Sequence, residues 1–225
     1  MKIAKLFINF STSVSESLLS VFSGNLKASD LYNKPYIIKS MQIGLSYLNK
    51  KNKPTILNQM FKGEILHSSI YLKVEIPAPD NSKAGVVVQY GKYPYIEKDK
   101  IKAELKDKVD NIGFPYGKDG GLMFAEIEYS KFKEIFCSAG LIHPRMDNKK
   151  GVQMTLKTFI DRVKEKNGPW DLKSYDPKTK SCQEFVATAL QIINIDYSPD
   201  EDKDDLKDND IPIVIKTELD KHIKH

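Results

Sequence analysis

One short segment, which begins at Ser181, constrains the fold of this chain more than any other. Ser181 is a favoured N-cap residue, and Glu184, three positions later, completes a capping box. Residues 176–180, just before it, have the composition of a turn. Apolar residues then recur with helical spacing at Phe185, Val186, Ala189, Leu190 and Ile193. The segment therefore predicts an amphipathic helix whose first turn contains Cys182.

Cys182 occupies a position that favours a charged thiol. In the first turn of a helix the main-chain N–H groups point outward, and the helix dipole stabilises negative charge. A thiol placed there is expected to lose its proton more readily, and the thiolate is the nucleophilic form. Lys178 and Lys180, just upstream, favour ionisation in the same direction. Two interpretations remain open: Cys182 is an activated nucleophile, or it is a small core residue.

The best candidate for a base lies on a predicted strand far upstream. Residues 64–76 are rich in β-branched and aromatic residues, which predicts a strand, and His67 lies on it. Residues 85–90 form the next predicted strand, after a turn, so the two are expected to pair as a hairpin. Gln89 is the one amide in that apolar run. Because a nucleophilic cysteine needs a base that a third polar group orients, Cys182, His67 and Gln89 form the predicted catalytic set.

Each of these residues also has an ordinary structural interpretation. The alternative for His67 is a hydrogen-bonded histidine on a sheet, and the alternative for Gln89 is a solvent-facing strand residue. Glu126, on the strand predicted over residues 122–129, is the alternative group for orienting His67. Cys137 has neither a capping context nor basic neighbours, so it is interpreted as structural.

Two spaced motifs carry a family resemblance. The first runs His67-x-x-Ile70-Tyr71, and the second runs Tyr175, six residues, Cys182, two residues, Phe185-Val186. Together they resemble the permuted papain-like cysteine hydrolases of the NlpC superfamily, and most closely its lecithin-retinol acyltransferase branch. The resemblance spans roughly residues 60–195.

The resemblance implies a role for the matched polar residues. His67 would be the base, Cys182 the nucleophile, and Tyr175 a residue near the oxyanion or the substrate. The chain departs from the family pattern at Ser181, where an asparagine is usual, and at Gln89, where the acyltransferases have a second histidine. The hairpin loop is also longer. Since serine caps a helix as well as asparagine does, the first departure leaves the helix start intact.

The predicted fold class is α+β. Residues 59–198 are predicted to form a permuted papain-like domain, in which an antiparallel sheet packs on the helix that bears Cys182. In this arrangement the histidine strand precedes the cysteine helix. Residues 199–225 are predicted to form an acidic C-terminal tail, with an edge strand over residues 211–215.

Residues 1–58 are predicted to form an N-terminal helical extension. Residues 1–24 are expected to fold as an amphipathic helix that packs on the domain; peripheral contact with a membrane surface is the alternative. A second helix is predicted over residues 35–49, where apolar residues fall on one helical face.

The amino-acid composition limits which cellular compartment and which partners are expected. Two cysteines in 225 residues give no disulfide framework, which favours a reducing, cytoplasmic location. Four histidines, two of them in the last four residues, form no ligand cluster, so neither a metal nor a cofactor is expected. The formal net charge is +5, but the lysines are scattered and only two arginines occur, so no nucleic-acid partner is expected. The expected partner is a peptide or acyl substrate.

Three classes of function remain open. The first is a thiol hydrolase, a cysteine peptidase or amidase, that cleaves a peptide or isopeptide bond. The second is a lipid acyltransferase or phospholipase of the same fold. The third is a catalytically inactive relative that serves as a binding or structural module. Trp170, close in sequence to Tyr175, is either a core anchor or a platform for the substrate.

Overall fold

An antiparallel sheet forms the centre of the molecule. The computed structural model describes residues 28–47, 66–75, 84–91, 121–146, 153–171, 173–199, 203–204, 206 and 210–223. The helices in these ranges are α1 Ala28–Asn33, α2 Tyr129–Phe136, α3 Leu156–Glu165, α4 Cys182–Ile192 and α5 Ile213–Asp220. The strands are β1 Ile37–Tyr47, β2 Leu66–Glu75, β3 Ala84–Gly91, β4 Gly121–Glu126, β5 Gly140–Ile142, β6 Arg145–Met146, β7 Ile195–Asp196 and β8 Lys203–Asp204.

Six strands pair in the order β4-β3-β2-β1-β5-β8, and every pairing is antiparallel. The short strands β6 and β7 pair separately. The predicted α+β class is confirmed, and so are the β2–β3 hairpin and a strand at β4.

The two faces of the sheet are covered by different helices. Side chains alternate along a strand, so Ile70 and Leu72 on β2 lie one residue out of phase with Tyr71. The even-numbered residues of β2 join the larger core, to which α3, α4 and α5 contribute. Tyr71 joins a smaller core with Phe132 and Phe136 of α2. Helix α4 is therefore on one face of the sheet and α2 on the other.

The helix predicted over residues 35–49 is wrong, because this segment is strand β1 at the centre of the sheet. Met41, Ile43 and Leu45 are at most 1% exposed and repeat every second residue, as a strand requires. Met41 and Leu45 are also four residues apart, so the same side chains fit a helical stripe. The segment is a strand because it pairs with β2 on one side and with β5 on the other. Residues 37–47 thus belong to the sheet and not to a helical extension.

The edge strand predicted over residues 211–215 is also wrong. Helix α5 begins at Ile213, and Ile211, Ile215 and Leu219, spaced four residues apart, are at most 5% exposed in the larger core. This helix packs against α4, so the region after residue 210 is part of the folded domain. The amphipathic helix expected over residues 1–24 lies outside the described residues.

Candidate functional site

The start of helix α4 is held by the predicted capping box. The Ser181 hydroxyl oxygen accepts a hydrogen bond from the Gln183 N–H at 3.2 Å. The Glu184 carboxylate accepts from the Ser181 N–H at 3.1 Å. Both donors would otherwise be unsatisfied at the helix end, so the two bonds fix where the helix begins. Cys182 is consequently the first helical residue.

The Cys182 thiol lies against the main chain of β2. Its sulfur is 3.9 Å from the Leu66 carbonyl oxygen, and the Ser68 N–H donates a hydrogen bond to it. The Gln183 side-chain amide also donates to the Leu66 carbonyl, at 3.2 Å. Leu66 and Ser68 are the immediate neighbours of His67 in sequence. The helix start is therefore attached to the strand at the position of His67.

The structure brings His67 and Gln89 together. The two side chains lie on adjacent strands, and the Gln89 amide oxygen is 2.9 Å from Nε2 of His67. An amide oxygen only accepts hydrogen bonds, so Nε2 carries the ring proton and donates it. In the neutral imidazole, Nδ1 then holds the lone pair that a base requires.

His67 and Gln89 lie on the α2 face of the sheet, together with Ser69 and Ser46. The strand register pairs Ser46 with His67 and Ser69 with Gln89, and paired residues share a face. Because α4 packs on the opposite face, the thiol meets β2 through main-chain groups and not across a layer of side chains.

Burial opposes ionisation of the thiol, contrary to the expectation from helix position. Cys182 is 5% exposed. This burial raises the pKa of its thiol to about 11; the Ser68 N–H lowers the pKa in part, and the Glu184 carboxylate raises it further. Lys180 does not compensate, because its ammonium donates to the Asn167 carbonyl and lies 4.8 Å from the centre of the Trp170 ring.

The pKa of His67 is shifted in the opposite direction to that of Cys182. Burial lowers the pKa of His67, and the hydrogen bond that its Nε2–H donates to Gln89 opposes that shift only in part. A thiol with a raised pKa and an imidazole with a lowered pKa are both uncharged at neutral pH. Neither group is charged at rest, and because their side chains lie on opposite faces of the sheet they do not form a thiolate–imidazolium ion pair.

Tyr175 lies near the thiol. Its ring centre is 5.5 Å from that of Tyr90. Burial raises the pKa of Tyr175, and proximity to Cys182 adds to the shift. The hydroxyl consequently stays protonated and keeps a hydrogen that it can donate near the sulfur.

Trp170 is a core anchor. It is 2% exposed, and its indole N–H donates to the Val163 carbonyl at 2.7 Å. The ring packs edge-on against Tyr90 and Phe185, with centroid distances of 4.9 and 5.7 Å. A side chain so enclosed offers no surface to a substrate, which corrects the alternative expectation for this residue.

Glu126 belongs to a different cluster. Its carboxylate accepts from the Lys34 ammonium at 2.7 Å and from the Tyr36 hydroxyl. The register places Glu126 beside Val86, three residues along β3 from Gln89. It is therefore not the group that orients His67.

Sequence reasoning missed the two main-chain groups that hold the sulfur, the Leu66 carbonyl and the Ser68 N–H. No side-chain pattern reports a main-chain contact, so this part of the site has no signal in the sequence. In the part of the chain that the structure describes, no group of three or more His, Cys, Asp or Glu residues is placed to hold a metal ion. Within the same residues, no helix combines the length and the apolarity that crossing a bilayer requires.

The raised pKa of Cys182 makes its reaction with iodoacetamide strongly dependent on pH. Below the pKa the thiolate fraction rises about tenfold per pH unit, so the alkylation rate of Cys182 should still be increasing above pH 9. At pH 7 the half-buried Cys137 should be alkylated first. Mass spectrometry of timed samples from the single-thiol variants Cys137→Ala and Cys182→Ala measures both rates. A rate for Cys182 that reaches a plateau near pH 7 would show that its thiol ionises far more easily than its burial implies.

Comparisons of the chain with protein-family models, with curated proteins and with solved structures return no match. The chemistry of the site rests on the geometry of the chain's own residues.

Proposed function

We propose that this protein is a permuted papain-like thiol hydrolase that cleaves an amide bond, in a peptide or isopeptide, through an acyl-enzyme on Cys182. One observation carries the proposal. The sulfur is held by main-chain groups of the two residues that flank His67, and Gln89 fixes the ring of that histidine in the tautomer of a base. Nucleophile, base and orienting group are the three parts that such a reaction needs.

The first half of the reaction starts from an uncharged Cys182 and an uncharged His67. The His67 ring lies on the α2 face and the Cys182 sulfur meets β2 from the α4 face, so the reaction requires a rearrangement at the start of β2 that brings the ring to the sulfur. As the sulfur then attacks the substrate carbonyl carbon, Nδ1 of His67 takes the thiol proton. The carbonyl π electrons move to oxygen, and the oxyanion is held by the Cys182 N–H and the Tyr175 hydroxyl. When the tetrahedral intermediate collapses, the C–N bond breaks and the imidazolium protonates the leaving amine. A thioester on Cys182 remains.

Hydrolysis of the thioester by water is the second half of the reaction. His67, again neutral, removes a proton from water as its oxygen attacks the thioester carbonyl carbon. The C–S bond then breaks, the sulfur recovers a proton from the imidazolium, and a carboxylic acid leaves. Because the pKa of His67 is lowered, the ring stays neutral to a lower pH than an ordinary histidine. We expect kcat/KM to fall with acid only below about pH 6.5.

A second candidate function is a non-catalytic binding or structural module. The observation in its favour is the thiol itself, which is 5% exposed and has a raised pKa. A sulfur that stays buried and protonated is a poor nucleophile unless a base removes its proton. A lipid acyltransferase or phospholipase, the third class, differs from the proposed hydrolase in the acyl compound that reacts and in the acceptor.

Matched chromogenic substrates separate the three functions. Wild type is incubated with peptide p-nitroanilides, which are amides, and with p-nitrophenyl esters of fatty acids. The hydrolase requires release of p-nitroaniline that is absent in Cys182→Ala and retained in Cys137→Ala. Transfer of a fatty acyl group to an added alcohol or amine, without any amide cleavage, would indicate the acyltransferase. No reaction with either series, in protein shown by circular dichroism to be folded, would indicate the binding module.

A further inference from the structure

The face of the sheet that carries His67 also carries a set of buried polar atoms without partners. Four atoms of this set belong to neighbouring strands and lack a hydrogen-bond partner among the described residues. They are Gln42 Oε1, Ser46 Oγ, Ser69 Oγ and Gln89 Nε2. Ser69 and Gln89 are 0% exposed, and Ser46 is 7% exposed. Bulk water therefore does not satisfy these groups.

The strand register places these residues on neighbouring positions of the sheet. Ser69 on β2 pairs with Gln89 on β3 and with Gly44 on β1, so it lies at the centre of the set. Ser46, two residues beyond Gly44, pairs with His67. All of these positions are on the α2 face.

The end of α2 closes over the same face. Gly44 has no side chain, and a Cβ atom there would lie only 2.7 Å from the Phe136 carbonyl oxygen and 2.8 Å from the Phe132 ring. The close approach explains why groups on this face are buried. It also makes glycine the residue that allows α2 to sit so near the sheet.

The chemistry of these atoms selects the kind of molecule that satisfies them. Gln89 offers amide N–H donors, Gln42 offers an acceptor, and each serine hydroxyl both donates and accepts. None of the four carries a charge, and His67 beside them is neutral. Such a mixture suits neither an anion nor a metal ion. It suits water, which donates and accepts at once and typically occupies sites that leave buried polar groups otherwise unpaired.

We propose that Ser46, Ser69, Gln42 and the Gln89 amide nitrogen form an internal water-binding site, and that its water fixes the Gln89 amide so that its oxygen faces His67. A Gln side chain has two orientations that differ by exchange of oxygen and nitrogen. A partner for the nitrogen on the side away from His67 holds the oxygen against Nε2. Through this water and Gln89, Ser69 helps to decide which nitrogen of His67 carries the proton, so Ser69 is a positioning residue. The proposal uses the His67–Gln89 pair and does not depend on Cys182.

The test uses the full-length wild-type protein labelled with ¹⁵N and no substrate. Water-selective nuclear Overhauser spectra should show a cross-peak between long-lived water and the Gln89 side-chain amide, and the ¹⁵N shifts of His67 should show the Nε2–H tautomer. If Ser69→Ala removes a hydrogen bond to bound water, it should lower the melting temperature and populate the Nδ1–H tautomer. Ser68→Ala is the matched control, because its hydroxyl is equally buried and unpartnered but lies on the α4 face. Its His67 tautomer should remain that of wild type.

The opposite results would overturn the proposal. Without water, Ser69→Ala only removes an unpaired hydroxyl, so the melting temperature should rise or stay constant and the tautomer should not change. Absence of the water cross-peak in wild type would contradict the proposal by itself, even if the variant failed to fold. Either result leaves the amide-hydrolase proposal untouched, and loss of hydrolysis leaves the water site untouched.

Discussion

Alanine in place of either Cys182 or His67 is expected to abolish acyl-enzyme formation, a loss of at least about 10³-fold in kcat/KM. The sulfur makes the bond to the acyl carbon, and its proton must leave at the same step, so neither residue supplies a useful rate without the other. The double variant should therefore be no slower than the single ones. The rate of p-nitroaniline release under single-turnover conditions measures all three.

Two control variants make this result specific. Cys137→Ala keeps the proposed pair and should retain the wild-type rate. Gln89→Ala should lower the rate less than His67→Ala, because an orienting residue tunes the base and does not replace it. Independent, multiplicative losses for Cys182→Ala and His67→Ala, or equal losses for Cys137→Ala and Cys182→Ala, would show that the two residues do not act as a unit.

Replacing Trp170 by alanine should have the largest effect on stability. The side chain is 2% exposed, packs edge-on against two aromatic rings and donates its N–H to the Val163 carbonyl. Truncation of a buried tryptophan typically lowers the free energy of unfolding by about 3–5 kcal/mol. Urea denaturation followed by circular dichroism measures the change. Ile213→Ala, at a position 69% exposed, is the control and should change the free energy by less than about 0.5 kcal/mol.

Trp170→Phe separates anchoring from substrate binding. Phenylalanine keeps a ring in the core but leaves the Val163 carbonyl without the indole donor, a loss of about 1–3 kcal/mol. If the residue is only an anchor, the folded variant should keep the KM of wild type. A large rise in KM with little loss of stability would return Trp170 to the substrate-platform role.

Local sequence patterns predict the parts of the site that depend on contacts between residues near one another in the chain. Ser181 and Glu184 specify the helix start through hydrogen bonds that stay within one turn. The β2–β3 hairpin follows from two β-rich segments with a turn between them, and that hairpin places Gln89 beside His67. These contacts involve residues close in sequence, or strands joined directly, so the sequence shows them without knowledge of the rest of the fold.

The errors come from long-range packing. In β1, Met41 and Leu45 fit a helix and a strand equally well, and only pairing with β2 and β5 selects the strand. The expectation of a lowered pKa for Cys182 fails because the helix dipole is visible in the sequence, whereas burial against Leu66 and Ser68 is not. Desolvation of a thiol that is 5% exposed outweighs the dipole. The sequence also hides the partners of Glu126, because Lys34 and Tyr36 are far away in the chain.

Peptide mapping of the trapped intermediate tests the central claim most directly. Wild-type protein is mixed with an activated acyl substrate, quenched in acid within the first turnover, digested and analysed by mass spectrometry. The proposed mechanism predicts that the peptide containing Cys182 gains the mass of the acyl group, and that His67→Ala lacks this gain. An acyl group found on Cys137 instead, or no acylated peptide from folded wild-type protein across both amide and ester substrates, would contradict it.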